Sequence, residues 1–274
     1  MPQTNRTPLD AHLVSRYGPW AVVTGASSGI GQAFARRLAK AGLNVVLAAR
    51  RTEELRAVAD DLQSRCGVAC RVLTVDLATP EGPDGLAEAT SDIDAGLLVA
   101  AAGFGSCGSF HASELSESTA MIDVNCRSLT ALSWHFARRL SGRRRGGVVL
   151  MGSLVGFQGV PGSAVYAATK AYVQSFAEGM HHELKPLGVD VISSAPGPVH
   201  TEFAARAGMK FGFGERAERV AEGTLRALGS RGTVRPGLIA KGLELSLKTL
   251  PRWGRVRMMG TIMRGMAVGA CTPP

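Results

Sequence analysis

The chain has 274 residues, 45% hydrophobic and 19% charged, which is enough to bury the core of one large domain and unlike a disordered chain. Its 31 Lys and Arg against 22 Asp and Glu give a net charge of +9, but no nucleic-acid-binding motif accompanies that charge. Five cysteines, an odd number without CxxC spacing, argue against a disulfide scaffold or a structural metal and predict a reduced, cytoplasmic protein.

The sequence predicts neither a signal peptide nor a membrane span. Residues 1–19 lack a continuous apolar segment. The uncharged run 95–110 is too short and is broken by glycine, and the run 146–169 contains six glycines and Pro161. A membrane helix needs ~20 mostly apolar residues without such breaks.

Strand-like and helix-like segments alternate along the chain. Strands are predicted near 20–24, 44–48, 70–75, 96–100, 147–152, 189–195 and 233–235. Helices are predicted near 29–41, 52–65, 113–140, 163–186 and 215–228, with a weaker signal for 80–90. This alternation predicts an α/β fold with a parallel sheet covered by helices on both faces.

A glycine-rich turn joins the first predicted strand to the first long helix, with the sequence Thr24-Gly-Ala-Ser-Ser-Gly-Ile-Gly31. Free backbone N–H groups and the helix dipole at such a turn attract a phosphate. The spacing is GxxxGxG rather than the commoner GxGxxG, and a glycine turn without a cofactor remains the alternative. The residues assigned to the cofactor here are Gly25, Ser27, Ser28, Gly29, Ile30 and Gly31.

The second predicted strand ends in Arg50 and Arg51, where NAD-binding proteins usually carry an acid about 20 residues after the glycine turn. A carboxylate would repel the 2′-phosphate of NADP, whereas a guanidinium matches it with charged hydrogen bonds. The sequence therefore favours NADP(H), with Arg50 as the first contact. The alternative is that these arginines, Arg51 above all, are surface charges that open the next helix.

Tyr166 and Lys170 are four residues apart on a predicted helix and therefore share one face of it. An ammonium near a phenol favours the phenolate, so we expect Lys170 to lower the pKa of Tyr166. Ser153, at the end of the preceding strand, could hold a carbonyl oxygen within reach of that phenol. These groups together are suited to proton transfer to or from an alcohol oxygen.

Together the two motifs resemble the classical short-chain dehydrogenase/reductase family, and the resemblance continues in order from Trp20 to about Thr201. It identifies Asn125 with the helix asparagine of the catalytic tetrad, which holds a water linking Lys170 to solvent. It also adds cofactor contacts at Asp76, Leu77, Ala102, Gly103, Tyr166, Lys170, Pro196, Gly197, Val199 and Thr201. One departure is that Ala100 and Ala101 replace two asparagines of the family, so hydrogen bonds there must be remade by backbone or water.

The resemblance implies a single Rossmann-like domain over residues 1–274, a doubly wound sheet of about seven strands. Within this domain the resemblance implies a core at about 18–237, a substrate lid at about 202–214 and a basic helical extension at about 238–274. The implied function is an NADP(H)-dependent oxidoreductase that interconverts a ketone or aldehyde and an alcohol, without a metal, in a homodimer or homotetramer. The alternative is a catalytically silent NADP-binding protein with a regulatory or membrane-associated role.

Residues 229–274 carry eight Lys and Arg and one acid, so most of the net charge lies there. Apolar stripes run from Leu238 to Leu250 and from Val256 to Met266. Three interpretations stay open: helices packed on the domain or on a second subunit, an apolar lid over the substrate, or a contact with an anionic membrane surface. Aromatic and methionine residues of the lid predict an apolar substrate such as an acyl chain, a steroid-like ring system or a xenobiotic ketone: Phe203, Met209, Phe211 and Phe213.

Overall fold

A computed structural model describes residues 7–209, 214–237, 242 and 249–266. The strands are β1 Trp20–Thr24, β2 Asn44–Ala49, β3 Cys70–Thr74, β4 Ala95–Ala100, β5 Gly146–Met151, β6 Val189–Ser194 and β7 Thr233–Val234. They form one sheet in the order β3-β2-β1-β4-β5-β6-β7, and all neighbouring pairs are parallel. The predicted seven-stranded, doubly wound α/β fold is confirmed.

Helices cover both faces of this sheet. They are α1 Pro8–Tyr17, α2 Gly29–Ala41, α3 Thr52–Cys66, α4 Gly82–Glu88, α5 Leu115–Ile122, α6 Leu129–Arg143, α7 Ala164–Leu184, α8 Glu202–Arg206, α9 Ala217–Ala227 and α10 Arg252–Met266. Apolar residues of α1, α2, α3 and α9 form the core on one face. Those of α4, α6 and α7 form the core on the other face.

The predicted helix at 113–140 is interrupted. Residues 123–128, between α5 and α6, form a π-helical segment, in which each turn contains an extra residue. The buried residues of this segment, Asn125 and Ser128, are polar, so the pattern of apolar residues gives no signal of the π-helical turn. Asn125 lies inside the π segment and is fully buried.

Helix α1 was not predicted from the sequence, although the start of the helix carries a capping signal. Thr7 caps the helix, Pro8 is its first residue, and the Asp10 carboxylate accepts a hydrogen bond from the backbone N–H of Thr7. Leu13 and Tyr17 bury the apolar side of α1 against the sheet. The helix is therefore part of the core, although it precedes the first strand.

The carboxyl ends of the strands position the site. Thr24, Ala49 and Ala100 end β1, β2 and β4, which are neighbours in the middle of the sheet. In open parallel sheets ligands bind at this edge, where the strand order reverses. Most of the first apolar stripe of the tail lies outside the described residues, and so do the lid residues Phe211 and Phe213.

Candidate active site

The turn after β1 is built to accept a phosphate. Gly25 and Gly29 have φ angles of +66° and +57°, a backbone region that favours glycine. Ser28 starts α2 without a side-chain cap, and the first turn of the helix carries no acid. A Cβ on Gly31 would collide with the carbonyl of Gly25, so the turn can only be this tight with glycine. The first N–H groups of α2 are thus free for an anion, which fits the predicted dinucleotide.

Because Ala100 and Ala101 have no side-chain amide, other groups support the loop after β4. The Thr24 hydroxyl accepts a hydrogen bond from the backbone N–H of Ala102 at 3.0 Å. The N–H of Ala101 bonds to the carbonyl of Val99 at 3.0 Å. Backbone and a buried threonine thus make the hydrogen bonds that the sequence analysis expected to be remade.

The Asn125 amide ties that loop to α7. Its Oδ1 accepts from the N–H of Phe104 at 3.2 Å, and its Nδ2 donates to the carbonyl of Phe104 at 2.9 Å. Nδ2 also donates to the Thr169 hydroxyl at 3.1 Å. Thr169 in turn bonds to the carbonyl of Tyr166 at 2.8 Å. The side chain of Asn125 is therefore fully used for positioning, and its predicted role in holding a water stays a prediction.

Tyr166 and Lys170 lie side by side on α7, as the spacing predicted. The Lys170 Nζ lies 5.6 Å from the centre of the Tyr166 ring and donates to the Met151 carbonyl at 2.8 Å. Burial lowers the pKa of Lys170 to about 8. Burial also raises the pKa of Tyr166 to about 12, although the Ser153 hydroxyl acts in the opposite direction. The expected depression of the Tyr166 pKa is thus wrong for this structure, because burial of the phenol dominates.

One cavity of about 900 Å³ connects the glycine turn with Tyr166 and α10. Every predicted cofactor residue lines it, and so do Ser153, Tyr166 and Lys170. Asn125 is absent from the lining, because it supports the loop from behind. The far end of the cavity is apolar, with Phe203, Met209, Met259 and Met263 in its wall.

The two arginines after β2 differ in their surroundings. Arg51 donates to the Ser27 hydroxyl at 3.1 Å and to the Ser28 hydroxyl at 2.7 Å, so it is held against the glycine turn. Arg50 also lines the cavity, but it is exposed. Sequence reasoning placed Arg50 first, whereas the structure gives Arg51 the more fixed position.

Sequence reasoning missed two charged residues of the cavity wall, Glu202 and Arg206 on α8. Glu202 directly follows Thr201, the last of the predicted cofactor residues, and this adjacency was the signal available in the sequence.

Within the described ranges, no helix combines the length and apolar content needed to cross a membrane. Nor does that part of the chain bring together three side chains that could hold a metal ion.

A parallel sheet of this order, with a phosphate-binding turn and a Ser-Tyr-Lys set at one cavity, defines a dinucleotide-dependent oxidoreductase. The family model described as short chain dehydrogenase matches residues 19–210, and the chain belongs to that family.

Its relatives agree with this class. A 7beta-hydroxysteroid dehydrogenase of Clostridium sardiniense is 36% identical over 186 residues, 68% of this chain and 71% of that protein. A solved structure that concerns 7beta-hydroxysteroid dehydrogenase stereoselectivity matches with a TM-score of 0.84 at 26% identity, covering 90% of this chain and 98% of the other. A short-chain dehydrogenase from Sphingobium yanoikuyae, solved with NADPH, matches with a TM-score of 0.76 at 30% identity, covering 86% and 97%. The predicted NADP(H) cofactor is thus confirmed at the level of the family.

Proposed function

We propose that this protein is an NADP(H)-dependent oxidoreductase that interconverts a ketone or aldehyde and an alcohol on a bulky apolar substrate. The observation that carries the proposal is that one continuous cavity holds both the cofactor residues and the apolar wall. It joins the glycine turn and Arg51 at one end to a methionine-lined wall at the other, with Tyr166 between them. The alternative of a catalytically silent protein has less support, because Asn125, Ser153, Tyr166 and Lys170 are all present.

In this proposal Tyr166 is the general acid in reduction and the general base in oxidation. The bound cofactor supplies or accepts the hydride. A pKa of about 12 keeps the Tyr166 phenol protonated at neutral pH, which suits proton donation to a carbonyl oxygen. Ser153 would orient that oxygen and stabilise the charge developing on it. Lys170, with a pKa of about 8, is a neighbouring group that can readily exchange a proton near neutral pH.

The substrate end of the cavity supports a bulky apolar compound. Val160, Met209, Met259 and Met263 are buried together there, with Phe203 packed against them. The Phe203 ring lies 5.5 Å from the Tyr166 ring, centre to centre, so the apolar wall begins directly at the reacting phenol. The similarity to 7beta-hydroxysteroid dehydrogenases supports a fused-ring ketone or alcohol as one such compound.

Three further proposals concern the oligomeric state of the protein, its contact with membranes and its location in the cell. The exposed aromatic residues Trp134 and Tyr172 support a homo-oligomer formed through α6 and α7. Trp253, 72% exposed on the basic helix α10, supports a peripheral contact with an anionic membrane surface. The cytoplasmic location stays a prediction from cysteine usage. The division into core, lid and extension likewise stays a prediction.

The test is NADPH oxidation by the purified protein with a panel of fused-ring ketones, small ketones, aldehydes and 3-oxoacyl thioesters. General acid-base help is worth about 10²–10⁴-fold, so Tyr166→Phe should lower kcat by roughly that factor. NADPH binding by the variant, followed by fluorescence, should be retained, because Phe fills the same space. Turnover that survives in Tyr166→Phe would overturn the assigned role, and tight NADPH binding without turnover of any carbonyl would favour the silent alternative.

A further inference from the structure

Arg51 joins the glycine turn to α8, the helix that follows the loop 196–201, which is predicted to contact the cofactor. Its Nε and Nη2 donate to the hydroxyls of Ser27 and Ser28, at 3.2 and 2.7 Å respectively. Its Nη1 donates to Oε2 of Glu202, the first residue of α8, at 3.1 Å. A single guanidinium thus connects a segment near residue 28 with one near residue 202.

The Glu202 carboxylate occupies a side of Arg51 that a bound phosphate would need. Both side chains line the cavity, and the Arg51 side chain is 29% exposed and that of Glu202 57%. Arg51 offers a fixed fork of N–H donors that matches a carboxylate or a phosphate equally well. A phosphate that kept Glu202 as its neighbour would face a like charge, and the two would repel each other.

Glu202 has a second cation within reach. Its Oε2 also lies 3.4 Å from Nη2 of Arg206, one turn further along the same helix. The carboxylate can therefore leave Arg51 without losing every charged partner. Arg51 keeps the Ser27 and Ser28 hydroxyls in either arrangement, so its position on the glycine turn does not depend on Glu202.

We propose that Glu202 is a specificity-determining residue for the cofactor, an internal counter-ion of Arg51 that the 2′-phosphate of NADP(H) displaces toward Arg206. The inference rests on the NADP(H) dependence proposed above. A nucleotide without the 2′-phosphate leaves the Arg51–Glu202 pair in place. In a nucleotide that carries it, the 2′-phosphate replaces Glu202 as the partner of Arg51, and Glu202 pairs with Arg206. Binding of the phosphate thereby also changes which residue holds the start of α8, next to the predicted cofactor contact Thr201. A ligand shifts a protein between two arrangements only by such a difference in contacts.

The experiment is calorimetric titration with 2′,5′-ADP and with 5′-AMP, two probes that differ by the 2′-phosphate and need no turnover. In Glu202→Gln the internal competitor is gone, so 2′,5′-ADP should bind about 2- to 5-fold more tightly, the range expected for one exposed ion pair. Binding of 5′-AMP should not change. An unchanged or weaker affinity of Glu202→Gln for 2′,5′-ADP would overturn the proposal.

Glu54 offers a matched control for the loss of one negative charge. Its Oε1 also lies near Arg51 Nη1, at 3.5 Å, but it belongs to α3 and does not line the cavity. Glu54→Gln should therefore tighten 2′,5′-ADP less than Glu202→Gln does. Equal effects of the two substitutions would reduce the role of Glu202 to general electrostatics and would overturn the proposal.

A double-mutant comparison tests the exchange itself. Arg206→Gln removes the second partner of Glu202, so it should weaken 2′,5′-ADP binding in the wild-type background and much less in the Glu202→Gln background. Equal weakening in both backgrounds would contradict the exchange.

If the wild type binds 2′,5′-ADP no better than 5′-AMP, the NADP(H) proposal fails together with the proposal for Glu202. A wild-type preference for 2′,5′-ADP that Glu202→Gln does not increase overturns only the proposal for Glu202.

Discussion

Burial sets the protonation chemistry of the site at the scale of single residues. Tyr166 and Lys170 share a face of α7, and their pKa values move in opposite directions, to about 12 and about 8. Both shifts disfavour the charged form of a buried group. The helical spacing predicted that these side chains meet. It could not predict the direction of the Tyr166 shift, because burial depends on packing by Ser153, Phe203 and other residues distant in sequence.

The Lys170 pKa leads to a pH-dependent stability. An unfolded lysine keeps its proton up to about pH 10.5, and the folded one only up to about 8, so unfolding takes up a proton between these values. The free energy of unfolding therefore rises with pH across this window. We expect Lys170→Met, which has no charge to bury, to gain stability relative to the wild type at pH 7 and to lose most of that gain by pH 9.5. Urea unfolding at the two pH values measures it, and a difference independent of pH would contradict the assignment.

At the scale of elements, α10 forms a wall of the substrate end. Its buried residues Met259 and Met263 were predicted as part of an apolar stripe, and they line the cavity with Ile262. This arrangement supports both the packing and the lid interpretations of the basic tail. Sequence periodicity identified the stripe but not its partner, because a methionine stripe is equally suited to a core, a subunit contact or a ligand.

Met259→Ala should enlarge the cavity where the substrate binds. Met259 is 8% exposed, so its truncation should lower the free energy of unfolding by roughly 2 kcal/mol. It should also raise KM for a bulky ketone roughly tenfold, with a smaller change in kcat. The matched control is Met258→Ala, the next residue of the same helix, which is 38% exposed and should change neither quantity appreciably. Denaturant unfolding and steady-state kinetics measure the effects, and equal effects of the two substitutions would exclude α10 from substrate binding.

The whole molecule follows the order predicted from the alternation of strands and helices. Seven parallel strands bring the glycine turn, Ser153 and the loop from Pro196 to one edge, as the pattern required. The π segment around Asn125 and the contact of Glu202 with Arg51 could not be predicted, since each depends on geometry between segments distant in sequence. The sheet can thus be predicted from the local sequence pattern, whereas the contacts that join distant segments at the site cannot.

The exterior of α6 and α7 carries an aromatic patch that the core does not use. Trp134 is 55% exposed and Tyr172 40%, and large aromatic residues are the usual anchors of interfaces. If α6 and α7 form the subunit interface, Trp134→Asp should convert the oligomer to a monomer, as measured by light scattering after gel filtration. Trp253→Asp, on α10, is the matched control and should keep the wild-type mass. A monomeric wild type, or an unchanged oligomer in Trp134→Asp, would rule out this interface.

The partly buried Arg37 on α2 contacts two acids that are far apart in the chain. It pairs with Asp10 on α1 at 2.7 Å and with Glu222 on α9, which lies 185 residues further along. During synthesis the early helices leave the ribosome long before Glu222 does, so half of this charge network is missing from any nascent chain that stops short of α9. The charge network around Arg37 is therefore completed only once residue 222 has been made, about four fifths of the way along the chain, so the packing of α2 against α9 can only follow late in synthesis.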